Sequence, residues 1–497
     1  MKWANFLHVY QPAEQQRDIL EAIVTQCYRP IFTHIRDNKD LRLTININGA
    51  LLELFARDGY TDLIDCLKEA GKDGRVEFTC SAKYHAFLPF LSKEEIIRQI
   101  QINNDTMKRY LGDSYKPRGF FPPEMGFKPE LAPILNEMGF EWVILDEIAL
   151  TGTPGAIDNS KQYKIKGTDM KVFFRDRRLS NLIMSAVVRS PETLKEAMKG
   201  EIQNDNYVIT AMDGETFGHH RPGLEKMLFN VWSGKEYDLV NISDLSALGI
   251  ETVEVQPVAS TWASSKEDID HNIQFLSWAD PENKIHKWQN ELLALTLKEV
   301  YAMDKTHPRY DQVRMKMDLG LASDHFWWAS AKPWWSVEMI EDGAYRLLDT
   351  IHLVPDVSAE TLSKASKLYE NIISTAFNWQ RTGRIREMMR SQNSILRIPF
   401  ADRTVGKGGA EEGVFHAFID MMTKLEKEAA ARGEYEKAIL WRDALYKLTN
   451  KLDIYDTVNA IDLLRIEVPH NEVEAVIEKY KEKYRAMRGG QPEQRGS

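Results

Sequence analysis

Two carboxyl side chains stand in segments suited to acid–base chemistry. Asp213 follows the β-rich run 207–210 and opens the segment Asp-Gly-Glu-Thr-Phe-Gly-His-His, whose glycines let the backbone turn. Glu124 lies in Phe-Phe-Pro-Pro-Glu-Met-Gly-Phe, an apolar setting that disfavours the charged form of a carboxyl group. Cleavage of a glycosidic bond uses two carboxyl groups in unlike settings, because one donates a proton while the other is ionised. The pair therefore indicates glycosyl chemistry.

The elements that must position these residues form an alternating pattern. Eight β-rich runs are separated by helical segments, and they cover residues 2–10, 41–48, 76–81, 118–124, 142–146, 171–175, 207–213 and 254–260. This alternation predicts an α/β fold with parallel strands, either a barrel or a doubly wound sheet. Polar residues stand near the C-terminal ends of the runs, namely His8, Asn46, Asn48, His85, Glu124, Asp146 and Asp213. In a parallel α/β barrel that rim carries catalysis.

The second half of the chain has a different character, because helical periodicity dominates from residue 264 onward. We predict an α/β domain over 1–263, a helical region over 264–396 with an aromatic segment at 322–335, a C-terminal helical subdomain over 397–488, and a disordered tail over 489–497. A glycine-rich loop is predicted at 397–413. Residues 424–448 resemble a helical hairpin broken at Gly433, which either packs within the subdomain or binds a partner.

Composition excludes several classes of protein. The chain has 497 residues with a formal net charge of −10, which disfavours nucleic acid or an anionic membrane as a general partner. No apolar run suits a signal sequence or approaches the ~20 residues that span a bilayer. Cys27, Cys66 and Cys80 are an odd number without paired spacing, so we expect buried free thiols rather than disulfides or a zinc knuckle. A cytoplasmic location is predicted.

Five ordered segments resemble the motifs of glycoside hydrolase family 57. They are residues 8–12 (His-Val-Tyr-Gln-Pro), 81–89, 121–127, 213–220 and 322–328. The resemblance covers roughly residues 1–335. One departure is Tyr10, which stands where the family usually has a second histidine. This difference affects sugar contacts at the donor subsite and leaves the two carboxyl residues in place.

The resemblance implies a fold and a reaction. The fold would be an incomplete TIM-like (β/α)7 barrel followed by a helical domain, so one of the eight candidate strands is wrong or lies outside the barrel. The reaction would be α-amylase-like cleavage of an α-1,4-glucan or malto-oligosaccharide with retention of configuration. Glu124 would be the nucleophile, ionised at rest, and Asp213 the protonated acid/base. Neither a metal nor a cofactor is required.

The resemblance also suggests residues that bind the substrate. The candidates are His8, Gln11, His85, Glu215, His220, Asp324, Trp327 and Trp328. A structural role is the alternative for each of them. A histidine at a strand end can form a hydrogen bond that only stabilises the fold, and Glu215 can orient Asp213 or cap a helix. The tryptophans can stack on sugar rings or pack the barrel against the helical region. Arg175 and Asp176 form either a rim ion pair or a substrate contact. Trp262 and Trp278 are predicted to serve packing.

Four alternative functions remain. A 4-α-glucanotransferase or a branching enzyme would use the same residues with a sugar acceptor in place of water. A metal-dependent polysaccharide deacetylase is suggested by Asp213, His219 and His220, but adjacent histidines do not share a helix face as a ligand pair usually does. A non-catalytic glucan-binding protein is the last alternative, and the presence of both Glu124 and Asp213 argues against it.

Overall fold

The computed structural model describes residues 1–186, 188–198, 207–332, 334–390, 414–449, 460–461, 463–464 and 467–487. It contains two compact units. The first comprises Met1–His220 with Leu224–Glu387, and the second comprises Arg221–Gly223 with Met388–Ser497. The predicted loop at 397–413 and the predicted tail at 489–497 lie outside the described residues. The predicted domain boundaries therefore stay predictions.

The first unit is built around parallel strands. The described strands are β1 Lys2–Val9, β2 Leu43–Ile47, β3 Val76–Thr79, β4 Gly119–Phe120, β5 Trp142–Asp146, β6 Gln162–Ile165, β7 Lys171–Arg175, β8 Tyr207–Asp213, β9 Asp238–Val240 and β10 Thr252–Val255. Parallel pairing joins them in the order β8-β1-β2-β3 and in the order β4-β5-β7. A parallel bridge between Cys80, directly after β3, and Phe120 in β4 joins the two sets of strands. The amide of Asp176, just after β7, donates to the carbonyl of Ile209 in β8 over 2.8 Å and completes the ring.

The seven-stranded barrel confirms the predicted fold class. The eighth candidate strand, 254–260, is wrong as a barrel strand. The strand found there, β10, pairs with β6, and β6 runs antiparallel to β7 outside the ring. β9 adds three further parallel pairs to the start of β1.

Helices surround the barrel and continue after it. Around the barrel they span Arg17–Ile23, a π-helical turn Val24–Tyr28, Arg29–Asp37, Gly49–Arg57, Thr61–Lys72, Lys93–Leu111, Leu131–Glu137, Ile148–Thr151, Arg177–Met184, Pro191–Ala197, Leu224–Ser233 and Ile242–Leu245. After it they span Lys266–Asp270, Leu276–Ala279, Lys284–Ala302, Tyr310–Gly320, Asp324–Trp327, Val337–Leu353, Ala359–Thr382 and Arg384–Arg390.

The second unit contains the predicted helical hairpin. Its described helices span Val414–Ala431, Tyr435–Thr449 and His470–Met487. Gly433 separates the first two with a φ of 75°, a left-handed conformation that glycine adopts without a steric cost. Phe418, Met422 and Trp441 contribute to a hydrophobic core of this unit. The hairpin prediction is confirmed.

Strand alternation fixes which side chains enter the barrel. Phe6 and Ala211 belong to the apolar core inside the ring, whereas Leu7 belongs to a different core cluster that includes the surrounding helices. Because successive side chains of a strand point to opposite faces, His8 and Asp213 point inward like Phe6 and Ala211. The two residues are register partners on adjacent strands. The barrel therefore brings a histidine and a carboxyl group together at its C-terminal rim.

Gly119 is expected to be required for close packing beneath Glu124. A Cβ atom at this position would lie 2.2 Å from the Trp142 ring, which is fully buried and donates from Nε1 to the Ser243 hydroxyl over 2.8 Å. We predict that Gly119→Ala lowers the free energy of unfolding by about 1–3 kcal/mol, measured by urea denaturation. Gly234→Ala is the control, because its Cβ would come no closer than 3.2 Å to a neighbouring atom. Equal unfolding midpoints for the two variants would contradict this packing account.

The described residues allow the predictions about membrane spans and cysteines to be compared with the structure. No helix in the described part of the chain is long and apolar enough to cross a membrane. Cys27, Cys66 and Cys80 are free thiols. Cys27 and Cys80 are buried as predicted, but Cys66 is half-buried, because its helix lies at the barrel surface.

Candidate active site

Glu124 lies in a strained turn at the C-terminal end of β4. Its φ is 61° and that of Met125 is 49°, conformations that residues with a Cβ atom rarely adopt. Backbone hydrogen bonds hold the turn, since the amide of Met125 donates to the carbonyl of Pro122 over 2.8 Å and the amide of Trp262 donates to that of Glu124 over 3.2 Å. Such strain persists only where the surroundings enforce it, and it clusters at functional sites.

The carboxyl group of Glu124 is largely removed from solvent, with a side chain 16% exposed. The Trp262 indole donates from Nε1 to Oε2 over 2.8 Å, and Oε1 lies 4.0 Å from Nδ1 of His85. Burial raises the pKa of Glu124 to about 8, and the charge of Asp213 contributes in the same direction, whereas the Trp262 hydrogen bond opposes both. The proton is therefore held more tightly than on an ordinary glutamate.

Asp213 ends β8 beside a buried cation. Burial raises its pKa to about 6, while the positive charge of Arg175 lowers it. Arg175 donates from Nε to Asp146 over 2.7 Å and from Nη1 to the carbonyl of Ala211 over 2.9 Å. Of the two roles that the sequence left open, a rim ion pair or a substrate contact, Arg175 forms an ion pair, with Asp146 rather than Asp176, and Asp176 accepts the amide of Leu179 at the start of the next helix. The positive charge of Arg175 therefore favours the ionised form of Asp213.

The two carboxyl groups differ in the order opposite to the predicted one. The pKa of Glu124 lies near 8 and that of Asp213 near 6, so between these values a proton is favoured on Glu124 and a charge on Asp213. Burial raises the pKa of both groups, but the charges of Asp213 and Asp324 add to the rise at Glu124, whereas the positive charge of Arg175 opposes the rise at Asp213. Between these values the pair holds a single proton.

A bell-shaped pH profile follows from this shared proton. We predict that kcat/KM falls below about pH 6, where both carboxyl groups are protonated, and above about pH 8, where both are ionised. Initial rates with a maltodextrin in overlapping buffers measure the two limbs. A rate that stays constant from mildly acidic to clearly alkaline pH would contradict the shared proton.

Two histidines line the same rim. Nδ1 of His8 donates to Oδ1 of Asn46 over 2.8 Å, and the His8 ring stacks on His85 with centroids 5.1 Å apart. Burial lowers the pKa of His8 to about 4 and that of His85 well below its usual value, so both rings are neutral. Nδ1 of His85 lies 2.9 Å from the Ser323 hydroxyl, while its buried Nε2 has no hydrogen-bond partner among the described residues.

Tyr10 connects these histidines to the helical region. Its ring stacks on His85 with centroids 4.2 Å apart and planes 17° apart. Its hydroxyl donates to Asp324 over 2.7 Å. Burial raises the pKa of Asp324 to about 6, and the Tyr10 hydrogen bond opposes that rise. Residues 314 positions apart in the sequence therefore meet beside Glu124.

The residues that meet here come from all five sequence motifs, and the family comparison agrees. Residues 3–233 match the family model described as Glycosyl hydrolase family 57. The matched part of the chain belongs to glycosyl hydrolase family 57.

Similar proteins within the family carry different names. An alpha-amylase from Pyrococcus horikoshii is 26% identical over 249 residues, covering 48% of this chain and 38% of that protein. A 4-alpha-glucanotransferase from Thermococcus kodakarensis is 24% identical over 311 residues, covering 58% of this chain and 47% of that protein. The chain thus spans less than half the length of these relatives. A branching enzyme from Thermococcus kodakaraensis has the same fold, with a TM-score of 0.57, 15% identity, and coverage of 76% of this chain and 96% of that one.

Glu215, in the fourth motif, binds residues of the first motif through its side chain. It is buried, and its Oε1 accepts the amide of Tyr10 over 3.2 Å, the side-chain amide of Gln11 over 3.4 Å and the hydroxyl of Tyr28. Burial raises its pKa to about 7. Glu215 and Gln11 thus tie the first motif to the end of β8. Tyr28 has no counterpart among the sequence candidates, because it lies in a helix whose pattern indicates only packing.

The aromatic motif of this family 57 chain forms a cluster of indole rings. Trp327 and Trp334 stack with centroids 4.5 Å apart, and Trp328 meets Trp327 edge-on at 5.1 Å. The three rings are half-buried rather than fully enclosed. His220 is exposed at the surface, and its backbone amide donates to the Glu215 carbonyl over 2.7 Å.

The site role of Trp262 was also missed by sequence reasoning. The prediction that Trp262 serves packing is incomplete, because the residue packs against the apolar core and its indole also donates to the Glu124 carboxyl group. Trp278 does pack, with its buried ring stacked on Phe87 at 4.4 Å. An antiparallel bridge between Phe127 and Ser260 brings Trp262 to Glu124, and no local spacing announces such a pairing.

The described residues were compared with the ligand set that a metal-dependent enzyme needs. There, no group of three or more histidine, cysteine, aspartate and glutamate side chains is arranged to hold a metal ion. His219, a candidate ligand of the deacetylase alternative, has its Nδ1 2.7 Å from the side-chain oxygen of Gln26.

Proposed function

We propose that this family 57 chain is a retaining glycosidase that cleaves α-1,4-glucans or malto-oligosaccharides by double displacement. The observation that carries the proposal is the placement of two acids at the C-terminal rim of the barrel, Glu124 after β4 and Asp213 at the end of β8, where burial raises the pKa of both. A relative named alpha-amylase supports the choice of substrate. The net charge of −10 suits a neutral polymer better than an anionic one.

In the first step, Asp213 acts as the acid and Glu124 as the nucleophile. Asp213 transfers its proton to the glycosidic oxygen while the bond from that oxygen to the anomeric carbon breaks. A carboxylate oxygen of Glu124 forms a bond to the same carbon, giving a covalent glycosyl-enzyme and a free sugar hydroxyl. The step requires the shared proton to reside on Asp213 at the moment of reaction.

In the second step, Asp213 acts as the base and the ester to Glu124 is hydrolysed. Asp213, now ionised, accepts a proton from water, whose oxygen bonds to the anomeric carbon as the ester to Glu124 breaks. The site then returns to its starting charge. A sugar hydroxyl in place of water would give transfer rather than hydrolysis.

Sugar rings and hydroxyls would meet several polar and aromatic groups near the two carboxyl groups. Nε2 of His85 is buried without a partner among the described residues, and a sugar hydroxyl can satisfy it. The second oxygen of Asp324 and the half-buried rings of Trp327 and Trp328 supply a further acceptor and apolar faces. We assign these groups to the binding of glucose units.

Product analysis from maltoheptaose tests the proposed function. Hydrolysis yields only shorter sugars, whereas products longer than the substrate would favour the second candidate, a 4-α-glucanotransferase, which one relative is named. New branch points would favour a branching enzyme. Loss of activity with a chelator would favour the metal-dependent alternative, and binding without any turnover would favour a non-catalytic glucan-binding protein.

A further inference from the structure

We propose that Trp262 is a positioning residue that holds one oxygen of Glu124 in place for attack and stabilises the ionised form of that carboxyl group against protonation. The inference rests on the proposed function for its catalytic consequence. Its structural part, the effect of the indole on Glu124, stands on the geometry of the two residues.

Trp262 contacts Glu124 twice. The indole donates from Nε1 to Oε2 over 2.8 Å, and the backbone amide of Trp262 donates to the backbone carbonyl of Glu124 over 3.2 Å. One residue thus fixes both the strained turn and the orientation of the carboxyl group. Oε1 lies 4.0 Å from Nδ1 of His85, beyond hydrogen-bonding distance, so this oxygen is the one available to the anomeric carbon.

The indole is itself held in place on several sides. Its ring lies edge-on to Phe121 at 5.9 Å and to His8 at 6.1 Å, and the Arg175 guanidinium lies 5.5 Å from the ring centroid. The Trp262 carbonyl accepts from Arg177 over 3.1 Å. A donor fixed before the reaction costs no reorganisation when charge develops, which is the condition for electrostatic preorganisation.

The chemistry of an indole determines which form of the Glu124 carboxyl group it favours. An indole nitrogen donates a hydrogen bond and cannot accept one, so it stabilises the carboxylate rather than the carboxylic acid. The other ionisable groups around Glu124 are Asp213, Asp324, Tyr10 and His85. Both acids raise the pKa of Glu124 and His85 is neutral, so Trp262 is the neighbour that opposes protonation.

The test removes the N–H and keeps an aromatic ring. In Trp262→Phe, we expect kcat/KM for maltoheptaose to fall about 10- to 100-fold, the equivalent of a hydrogen bond to a charged group. The fall should lie mainly in kcat, and the alkaline limb of the pH profile should move to higher pH because Glu124 binds its proton more tightly. Benzothienylalanine at position 262, which replaces the N–H by sulfur in a ring of similar shape, should behave alike even if the phenylalanine variant folds poorly.

Trp278→Phe is the matched control. This tryptophan packs against Phe87, and its replacement should leave both pH limbs and kcat/KM close to those of the unmodified protein. If both Trp262 variants keep kcat/KM within about threefold and leave the alkaline limb unchanged, the proposal is overturned.

A measurement without turnover separates this inference from the proposed function. Carbon-13 NMR of protein labelled at the glutamate carboxyl carbons, with the Glu124 signal assigned by its loss in Glu124→Gln, follows ionisation directly. The pKa of Glu124 should be higher in the Trp262 variants than in the unmodified chain. Such a rise in a protein that cleaves no α-glucan would overturn the proposed function alone, whereas an unchanged Glu124 titration in an active enzyme would overturn the role of Trp262 alone.

Discussion

Glu124→Gln is expected to lower kcat on maltoheptaose by about 10⁴-fold or more, the scale on which removal of a catalytic nucleophile acts. The amide has nearly the shape of the carboxyl group, so it can occupy the same strained turn and accept the Trp262 hydrogen bond at its oxygen. It cannot form the glycosyl ester, because an amide is a far weaker nucleophile than a carboxylate. Initial rates at saturating substrate measure the loss.

A control variant separates loss of chemistry from loss of structure. Glu130→Gln changes an exposed glutamate that follows the same motif and should leave kcat unchanged. Circular dichroism and thermal unfolding of Glu124→Gln should match those of the unmodified protein. A Glu124→Gln enzyme that keeps more than about a tenth of the original kcat would remove Glu124 from the mechanism.

Asp213→Ala is expected to have the second-largest effect, about 10²- to 10⁴-fold on maltoheptaose, the range found for general acid–base groups. The loss in the first step should be much smaller with an aryl α-maltoside, because a phenolate leaves without being protonated. Glycosyl-enzyme then accumulates, since no base activates water, and phenolate appears in an initial burst. Stopped-flow absorbance records that burst.

The comparison between the two substrates is what identifies Asp213 as the acid. Asp169→Asn is the matched control, since its side chain is 99% exposed and pairs only at the surface with Lys164, and neither substrate should be affected. Equal losses on maltoheptaose and on the aryl maltoside, without a burst, would indicate that Asp213 acts on binding or stability instead.

The barrel was predictable because its strands carry their own signals. The predicted bounds of β5, β7 and β8 coincide with those observed, since each is a short apolar run buried on both faces. Alternation along such a run also predicts that a polar residue at its C-terminal end, such as Asp213, joins the polar rim of the barrel. The rim residues therefore followed from strand patterning, and the family motifs then selected two of them as catalytic candidates.

The contacts that complete the site were not predictable, because they join distant parts of the chain. Trp262 and Glu124 lie 138 positions apart, and their contact depends on the bridge between Phe127 and Ser260 outside the barrel. The same limit applies to 254–260, where the strand pairs with β6 rather than with a barrel strand. Pairing partners of short strands depend on tertiary register, which local periodicity does not encode.

The order of the two pKa values was also beyond sequence reasoning. It depends on Arg175, whose guanidinium pairs with Asp146 and lies close enough to Asp213 to favour its charge. The sequence neighbour Asp176 caps the following helix. The direction of the Arg175 side chain thus contributes to the difference between the two pKa values.

That reversed order makes the identity of the nucleophile the central claim to test, and azide rescue of glycine variants tests it directly. Glycine suits position 124, where φ is 61°. With an aryl α-maltoside and azide, Glu124→Gly should yield the β-maltosyl azide, because azide replaces the nucleophile in a single displacement. Asp213→Gly should yield the α-maltosyl azide through the glycosyl-enzyme. Proton NMR of the anomeric signal reads the configuration. An α-azide from Glu124→Gly together with a β-azide from Asp213→Gly would contradict the account and make Asp213 the nucleophile.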